Sequence, residues 1–263
     1  MLRFLIVLAL LMQDAPKQSV ELRVRPVQGD KIETFATWSH GFRGTLGDEP
    51  VSFATRGGQR LVVEMSGVEK GSLARKTVKV VDSYVETKDM QTSKYIRKDD
   101  AVLGRTVTIT MKDGREERTG GDGVPEQELK ALTFVDPLTR LYPDKPVAVG
   151  DSWDISGEGL KQFFPGGDFT DGRILVSLRE IREYEGRKCA FLSTKYDVSG
   201  TMPDGVSRQL ELTGTLIVWI ERGYILVMTQ SGRLKTSGAD PKTQQPNGEA
   251  IITGELKATI LEK

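Results

Sequence analysis

Residues that commonly act as catalytic nucleophiles, general bases or soft metal ligands are almost absent from this sequence. Its 263 residues include one cysteine, Cys189, and one histidine, His40. A single cysteine cannot form an internal disulfide, and two such residues are too few for the usual zinc site. A Ser-His-Asp or Cys-His mechanism would have to use His40, and the chain has no Gly-x-Ser-x-Gly elbow. We therefore expect no metal site and no catalysis that depends on histidine or cysteine.

The surroundings of these residues indicate ordinary structural roles. We interpret His40, in WSHGFRG, as the end of a strand that enters a loop, and Cys189 as a small packing residue inside a strand. The acidic segments GGDFTDG and KDD do not match an EF-hand calcium loop. Glycine motifs that cradle phosphates or dinucleotides are missing as well. The sequence predicts no cofactor.

An excess of charge of either sign is also missing. The 37 basic residues equal the 37 acidic residues, so the formal net charge is zero. A balanced chain lacks the field that attracts a protein to nucleic acid, and we predict no nucleic-acid partner. Two carboxylates suffice for glycoside hydrolysis, so a carboxylate-based hydrolase stays an alternative. The many acidic residues do not single out a catalytic pair.

One unbroken apolar run stands out, at the N-terminus. Arg3 precedes an apolar stretch from Phe4 to Met12. Crossing a bilayer takes about 20 residues, whereas this length is typical of a signal-peptide core; the alternative is a buried N-terminal element. We predict that residues 1–18 are a signal peptide and that the protein is secreted to the periplasm or outside the cell. No transmembrane span is expected after signal removal.

Alternation of apolar and polar residues dominates the rest of the chain. In RTVTITMKDG, Val107, Ile109 and Met111 alternate with threonines, which is the period of a β-strand. Similar strands joined by short turns follow from residue 173 onward and predict an antiparallel meander. Glycines inside strands permit bending. We predict a mostly β protein whose antiparallel meander forms a curved half-barrel or barrel.

The order of these patterns predicts an N-terminal β half, a connector and a C-terminal β meander. The halves cover residues 19–124 and 171–263, and we expect them to share one fold. The connector, residues 125–170, holds two short helical patterns. One begins at Pro125, a favourable first-turn residue, and the other is SGEGLKQFF, closed by Pro165-Gly166-Gly167.

The connector also contains PDKPVAVGDSWDI, residues 143–155. Its prolines suit an extended crossing segment, and Gly150-Asp151 supplies a turn. Trp153 can then fill the core without any ligand. In the functional interpretation, Trp153 lines a ligand mouth together with Phe163 and Phe164. These three aromatic residues are our candidate ligand-binding residues.

The motif P-x-x-P-V-x-x-G-D-x-W resembles one found in uncharacterised, exported, β-rich bacterial proteins. The resemblance covers roughly residues 143–260 and includes the turn YEGRKCA, Tyr184 to Ala190. It implies export and a β fold, and it supplies no known activity. The expected curved sheet is similar in outline to bacterial lipoprotein-carrier half-barrels, which is an analogy of fold.

These expectations favour an exported, non-catalytic binding or envelope-associated protein. A curved sheet has a concave face, and small molecules usually bind in apolar concave sites. The predicted partner is an apolar or amphipathic ligand or an envelope protein. The alternatives are a structural or protein-interaction module, whose interior would be filled, and a hydrolase, whose cleft would hold facing carboxylates. The space on the concave face of the sheet distinguishes these three hypotheses, because each predicts a different volume or lining.

Overall fold

Antiparallel strands make up 67% of the structure, which is a computed structural model. It describes residues 19–88, 93–164, 169–202, 205–238 and 247–261. The predicted signal peptide, residues 1–18, lies outside these ranges, as does Pro165-Gly166-Gly167. The predicted class, a mostly β curved antiparallel meander with two short helices, is confirmed, and the sheet is curved but not closed.

The strands follow the alternating segments of the sequence, with short turns between most of them. Their bounds are β1 Ser19–Val20, β2 Lys31–Leu46, β3 Glu49–Glu69, β4 Ser72–Lys88, β5 Tyr95–Asp99, β6 Thr106–Lys112, β7 Arg115–Thr119, β8 Val147–Ala148, β9 Ser152–Ser156, β10 Asp171–Tyr184, β11 Arg187–Thr201, β12 Ser207–Trp219, β13 Tyr224–Ser237 and β14 Asn247–Leu261.

The helices are short and lie in the connector. Helix α1 spans Glu126–Ala131, a 3-10 helix spans Pro137–Leu141, and α2 spans Glu158–Phe163. Pro125 stands just before α1, and acidic residues in the first turn of α1 complement the helix dipole. No helix in the described ranges is both long and apolar enough to cross a membrane.

One large sheet contains nearly all of the strands. Its order is β7-β6-β4-β3-β2-β14-β13-β12-β11-β10-β9, with β5 paired to β4, and a small second sheet pairs β1 with β8. The chain's two halves join where β2 pairs with β14, from Lys31 opposite Leu261 to Thr45 opposite Asn247. The sheet therefore continues across the junction, and the predicted domain division stays a prediction.

The register puts the apolar sides of the long strands on the same face, which we call the inner face. Directly opposed residues share a face of a sheet, so β6 places Val107 and Ile109 beside Val78 and Lys76 of β4. Val107 and Ile109 are fully buried. The connector and the segment that follows β1 pack on this inner face and form a core with β10–β13.

Gly214 and Gly232 are among the strand glycines that stand where no side chain fits. A Cβ on Gly232 would lie 1.9 Å from the backbone oxygen of Glu211, and a Cβ on Gly214 would lie 2.4 Å from that of Thr229. Gly254 is different, because its nearest neighbour would be 3.9 Å away. Glycine is thus sterically required at Gly214 and Gly232, where neighbouring backbones approach closely.

Candidate functional site

An apolar cavity of about 480 Å³ lies on the inner face, where the two halves of the sheet meet. Strands β2, β3 and β4 form one wall, and the turn between β12 and β13 lies at another side. Residues 131–139, which we call the connector wall, cover it. The apolar lining includes Ile32, Ala36, Leu61, Val63, Phe134 and Leu256.

Strand register explains why these apolar side chains converge. Ile32 stands opposite Val63 in the pairing of β2 with β3. On the other side of β2, Ala36 stands opposite Leu256 of β14. Because opposed residues share a face, strands distant in sequence contribute to one apolar surface. The small side chain of Ala36 leaves part of that surface uncovered.

The connector wall is held in place by buried anchors and by backbone hydrogen bonds. Leu132 and Phe134 are buried in the core of the N-terminal half. The backbone N–H of Phe134 donates to a carboxylate oxygen of Glu116 at 3.3 Å. Asp136 caps the 3-10 helix, since its carboxylate accepts from the N–H of Leu138 at 2.9 Å. The wall is therefore fixed to the sheet at several points.

Lys76 is the unusual residue of the cavity. Its side chain points from β4 to the inner face, opposite Ile109, and it is only 9% exposed. Within the described part of the chain, its ammonium group has neither a hydrogen bond nor an ion pair within 4.0 Å. Burial lowers the pKa of Lys76 from 10.5 to about 8, although the charges of Asp136 and Glu116 oppose this shift.

Asp136 is the acidic residue in the lining of the same cavity. Burial raises the pKa of its carboxyl, while the hydrogen bond from Leu138 and the charge of Lys76 act in the opposite direction. Its carboxylate is more than 4.0 Å from the Lys76 ammonium, so the two do not form an ion pair. The cavity thus combines apolar walls with one amine and one carboxyl that remain apart.

Two exposed apolar residues mark the edge of the cavity. Val24 is 38% exposed and Val135 is 52% exposed, and both belong to the lining. Val135 lies in the connector wall, and Val24 lies in the segment between β1 and β2. The cavity is therefore bordered by apolar side chains where it meets the solvent.

The predicted aromatic residues lie elsewhere on the inner face. Trp153, on β9, donates its indole N–H to the backbone oxygen of Leu141 at 2.9 Å. Phe163 and Phe164, at the end of α2, contact each other with ring centroids 4.9 Å apart. All three are partly buried against the core of the C-terminal half, and none lines the 480 Å³ cavity. Their role in binding a ligand stays a prediction.

The segment before Trp153 forms the predicted structural corner. The backbone N–H of Ala148 donates to the carboxylate of Asp151 at 2.8 Å, which closes the turn. Val147 pairs with Val20, and both are buried. These contacts account for the motif residues without a ligand.

A larger polar depression, of about 1260 Å³, lies across the ends of β9–β14 and β2. It contains several carboxylates, as the hydrolase alternative requires. Register places Arg173 opposite Asp197 and Lys235 opposite Glu249, and Glu249 also pairs with Arg233 at 3.2 Å. Acidic residues beside basic ones are typical of cross-strand charge pairs. Register also places Asp197 opposite Glu211, and this pair of carboxylates lies in a cross-strand row between Arg173 and Arg233.

His40 and Cys189 occupy separate positions in the sheet. The interpretation of His40 as a strand end was wrong, because β2 continues to Leu46 and pairs on both sides. Its ring bonds the hydroxyl of Thr55 at 2.6 Å, and burial lowers its pKa. Cys189 is buried in β11, and burial raises the pKa of its thiol. Among the described residues, no three His, Cys, Asp or Glu side chains cluster as metal ligands.

Comparisons with known proteins leave this chain without an assigned family. No family model matches it, and no curated protein sequence is significantly similar. Similar solved structures include lipovitellin, from a study of its lipid–protein interactions, at 10% identity and a TM-score of 0.45. That alignment covers 92% of this chain and 26% of lipovitellin, so this chain spans about a quarter of lipovitellin's length.

Two bacterial structures are similar over most of their own length. DynF, from the dynemicin biosynthesis pathway of Micromonospora chersina, has a TM-score of 0.25 at 10% identity, covering 95% of this chain and 88% of DynF. A LolA-superfamily protein from Nitrosomonas europaea has a TM-score of 0.19 at 10% identity. The alignment covers 91% of this chain and 89% of that protein. TM-scores this low carry no argument about function, so the resemblance to lipoprotein carriers stays a prediction.

Sequence reasoning missed Lys76 and the connector wall. A signal for Lys76 was available in ARKTVKVV, where Lys76, Val78 and Val80 alternate on the apolar side of the strand. A lysine in that series is placed where an aliphatic residue is expected. No comparable local signal identified residues 131–139, because the cavity forms only when they pack against distant strands.

Proposed function

We propose that this protein binds an apolar or amphipathic small molecule in the cavity between the sheet and the connector wall. The observation that carries the proposal is the unfilled apolar volume of about 480 Å³. Ligand sites commonly enclose about 300–1,000 Å³ and are lined mostly by apolar side chains with a few polar groups. A structural module would fill this space with its own side chains, because voids in a core are destabilising.

The proposal is tested by filling the cavity. Ala36→Trp places the largest side chain into the cavity, whereas Phe35→Trp changes the neighbouring residue on the opposite, exposed face of β2. We expect N-phenylnaphthylamine, an uncharged fluorescent probe, to bind the native protein. Its affinity should fall tenfold or more in Ala36→Trp, which is a loss of about 1.4 kcal/mol, and stay unchanged in Phe35→Trp.

The same titration separates this cavity from the aromatic cluster predicted from the sequence. Phe163→Leu removes a ring that packs near Tyr196 but does not line the cavity. If Phe163→Leu weakened probe binding and Ala36→Trp left it intact, the ligand site would be at the aromatic cluster. Absence of binding by the folded native protein would contradict a carrier role altogether.

We further propose that the protein acts after export. The support is Arg3 and the apolar run from Phe4 to Met12, a pattern typical of signal peptides. An exported protein that encloses an apolar cavity suits the transport or storage of a poorly soluble molecule in the aqueous space outside the cytoplasm.

A further inference from the structure

The cavity contains a charge that the protein itself does not neutralise by contact. Lys76 is nine-tenths buried, faces the apolar space, and has no hydrogen bond or ion pair among the described residues. Buried charges are normally paired, because an isolated one is strongly destabilising. The Lys76 nitrogen is not among the fully inaccessible polar atoms that lack a partner, so it is reached from the cavity, where an acidic group can contact it.

The charged groups around Lys76 are already committed to other contacts. Glu116 and Arg118, on β7, form an ion pair with each other. Glu116 also accepts from the backbone of Phe134, and Asp136 accepts from the backbone of Leu138. The charges of these three residues shift the pKa of Lys76, and none of the three contacts it. An acidic group that enters the cavity would thus find the Lys76 ammonium available.

We infer that the ligand is a single-chain amphiphile with an acidic head group, and that Lys76 binds this head while the aliphatic wall encloses the chain. The inference rests on the proposed function and specifies its ligand class. An ammonium-to-carboxylate or ammonium-to-phosphate bond is charge-assisted and strengthened by the low polarity of the surroundings. A fatty acid and an alkyl phosphate both fit this chemistry, and a neutral lipid does not use it.

The inference is tested with ligands that differ only in head group. Palmitate, hexadecyl phosphate and the uncharged methyl palmitate are titrated by displacement of N-phenylnaphthylamine from native protein, Lys76→Met and Lys79→Met. Lys79 is the matched control, because it lies on the same strand but is exposed. Lys76→Met replaces the lysine with an unbranched side chain that is one atom shorter and uncharged, and circular dichroism verifies that each variant is folded.

We expect Lys76→Met to weaken palmitate or hexadecyl phosphate binding by about ten- to a hundredfold, the range for a hydrogen bond to a charged group. Methyl palmitate binding should be unchanged, and Lys79→Met should match the native protein throughout. The acid that loses more affinity in Lys76→Met identifies the head group as carboxylate or phosphate.

The pH dependence gives a second readout. Lys76 loses its proton above a pKa of about 8, so the affinity of the native protein for palmitate should fall as the pH is raised to about 10. Asp136, Glu116 and Arg118 are the other charged groups that face this lysine. The decrease should be absent in Lys76→Met, which retains all three.

Two results would overturn the inference, and they are distinguishable from failure of the proposed function. Equal binding of palmitate and methyl palmitate by the native protein would show that the head group is not recognised. An equal loss of both ligands in Lys76→Met would show that the residue only shapes the cavity. Failure of every ligand, including N-phenylnaphthylamine, would instead reject the binding function and the inference with it.

Discussion

The buried charge of Lys76 destabilises the folded protein, but it also gives the cavity a group that can bind an acid. In the unfolded chain its ammonium is fully hydrated, whereas in the native state the side chain lies beside Val78 and Ile109 and only the side facing the cavity is accessible. Native proteins rarely bury a lysine without a partner. A residue that destabilises the free protein is retained most readily where it serves binding.

At the scale of this residue we predict that Lys76→Met stabilises the free protein at pH 7. The pKa of Lys76 falls from 10.5 to about 8 on folding, which corresponds to about 3 kcal/mol of unfavourable free energy when the group is charged in both states. Lys76→Met removes this term, so its free energy of unfolding should exceed the native value by about that amount. Urea denaturation measures the difference.

The sign of the pH dependence follows from the same shift. Between the native pKa of about 8 and the unfolded value of 10.5, the unfolded chain binds more protons than the native protein. Native stability therefore rises with pH across this interval, and the advantage of Lys76→Met shrinks. Lys79→Met should show neither effect. A Lys76→Met variant less stable than native at pH 7 would mean that the lysine stem contributes packing that outweighs its charge.

At the scale of the element, β12 and β13 depend on glycine for their close approach. The Cβ of an alanine at position 232 would lie 1.9 Å from the oxygen of Glu211, so the strands would have to separate. At Gly41, on β2, nothing lies within 4 Å of the corresponding position. The same substitution to alanine therefore meets a neighbouring backbone at Gly232 and open space at Gly41.

We predict that Gly232→Ala lowers the free energy of unfolding by about 3 kcal/mol, because the backbone must shift to relieve the clash. Gly41→Ala should be neutral or stabilise by up to about 1 kcal/mol, since alanine loses less backbone entropy than glycine in a strand. Thermal denaturation of both variants checks this. Equal stabilities would indicate that β12 and β13 separate easily, and that the curvature of the sheet does not depend on this position.

The connector is the element that converts a curved sheet into a sheet with a cavity. Tyr142 donates its hydroxyl to the backbone oxygen of Gly223 at 2.9 Å, and Trp153 donates to Leu141. These bonds hold the connector against the C-terminal core, while Leu132 and Phe134 hold the preceding residues against the N-terminal core. The connector as a whole is therefore attached to both halves of the sheet.

At the scale of the whole molecule, the position of the first strand limits where a signal peptide can be cleaved. Ser19 and Val20 form β1, which pairs with β8, and Leu22 is buried in the core. Residues from Ser19 onward are thus part of the folded structure. We predict that signal cleavage removes residues up to 18 at most, because a cut further along would remove β1.

Fractionation of the native host, with mass spectrometry of the N-terminus, checks this prediction. We expect a processed chain outside the cytoplasm whose first residue lies between Gln13 and Ser19. Full-length chain that retains Met1 in the cytoplasm would contradict export. A processed chain that starts after Val20 would show that β1 is dispensable, because its pairing with β8 would be lost.

Much of the sheet was predictable from the sequence because strand periodicity is local. Alternation alone placed Val107 and Ile109 on one side of a strand, and the structure buries both fully. The helices after Pro125 and in SGEGLKQFF were predictable from the proline that precedes the first and from the composition of both segments, although neither has a side-chain N-cap. His40 was misassigned, because a strand that continues through Gly41 and Gly44 is weakly signalled by the sequence.

The site was less predictable because it is a property of packing at long range. Aromatic residues near glycines suggested a mouth at Trp153, Phe163 and Phe164; these rings pack partly buried against the C-terminal core, and their role in binding stays a prediction. By itself, the sequence determined most strands and the antiparallel pairing of those joined by short turns, whereas the pairing of β2 with β14 joins segments at opposite ends of the chain and depends on the tertiary structure. Only the tertiary structure decided where volume stays unfilled, because β2–β4, β14 and residues 131–139 must meet before a cavity exists around Lys76.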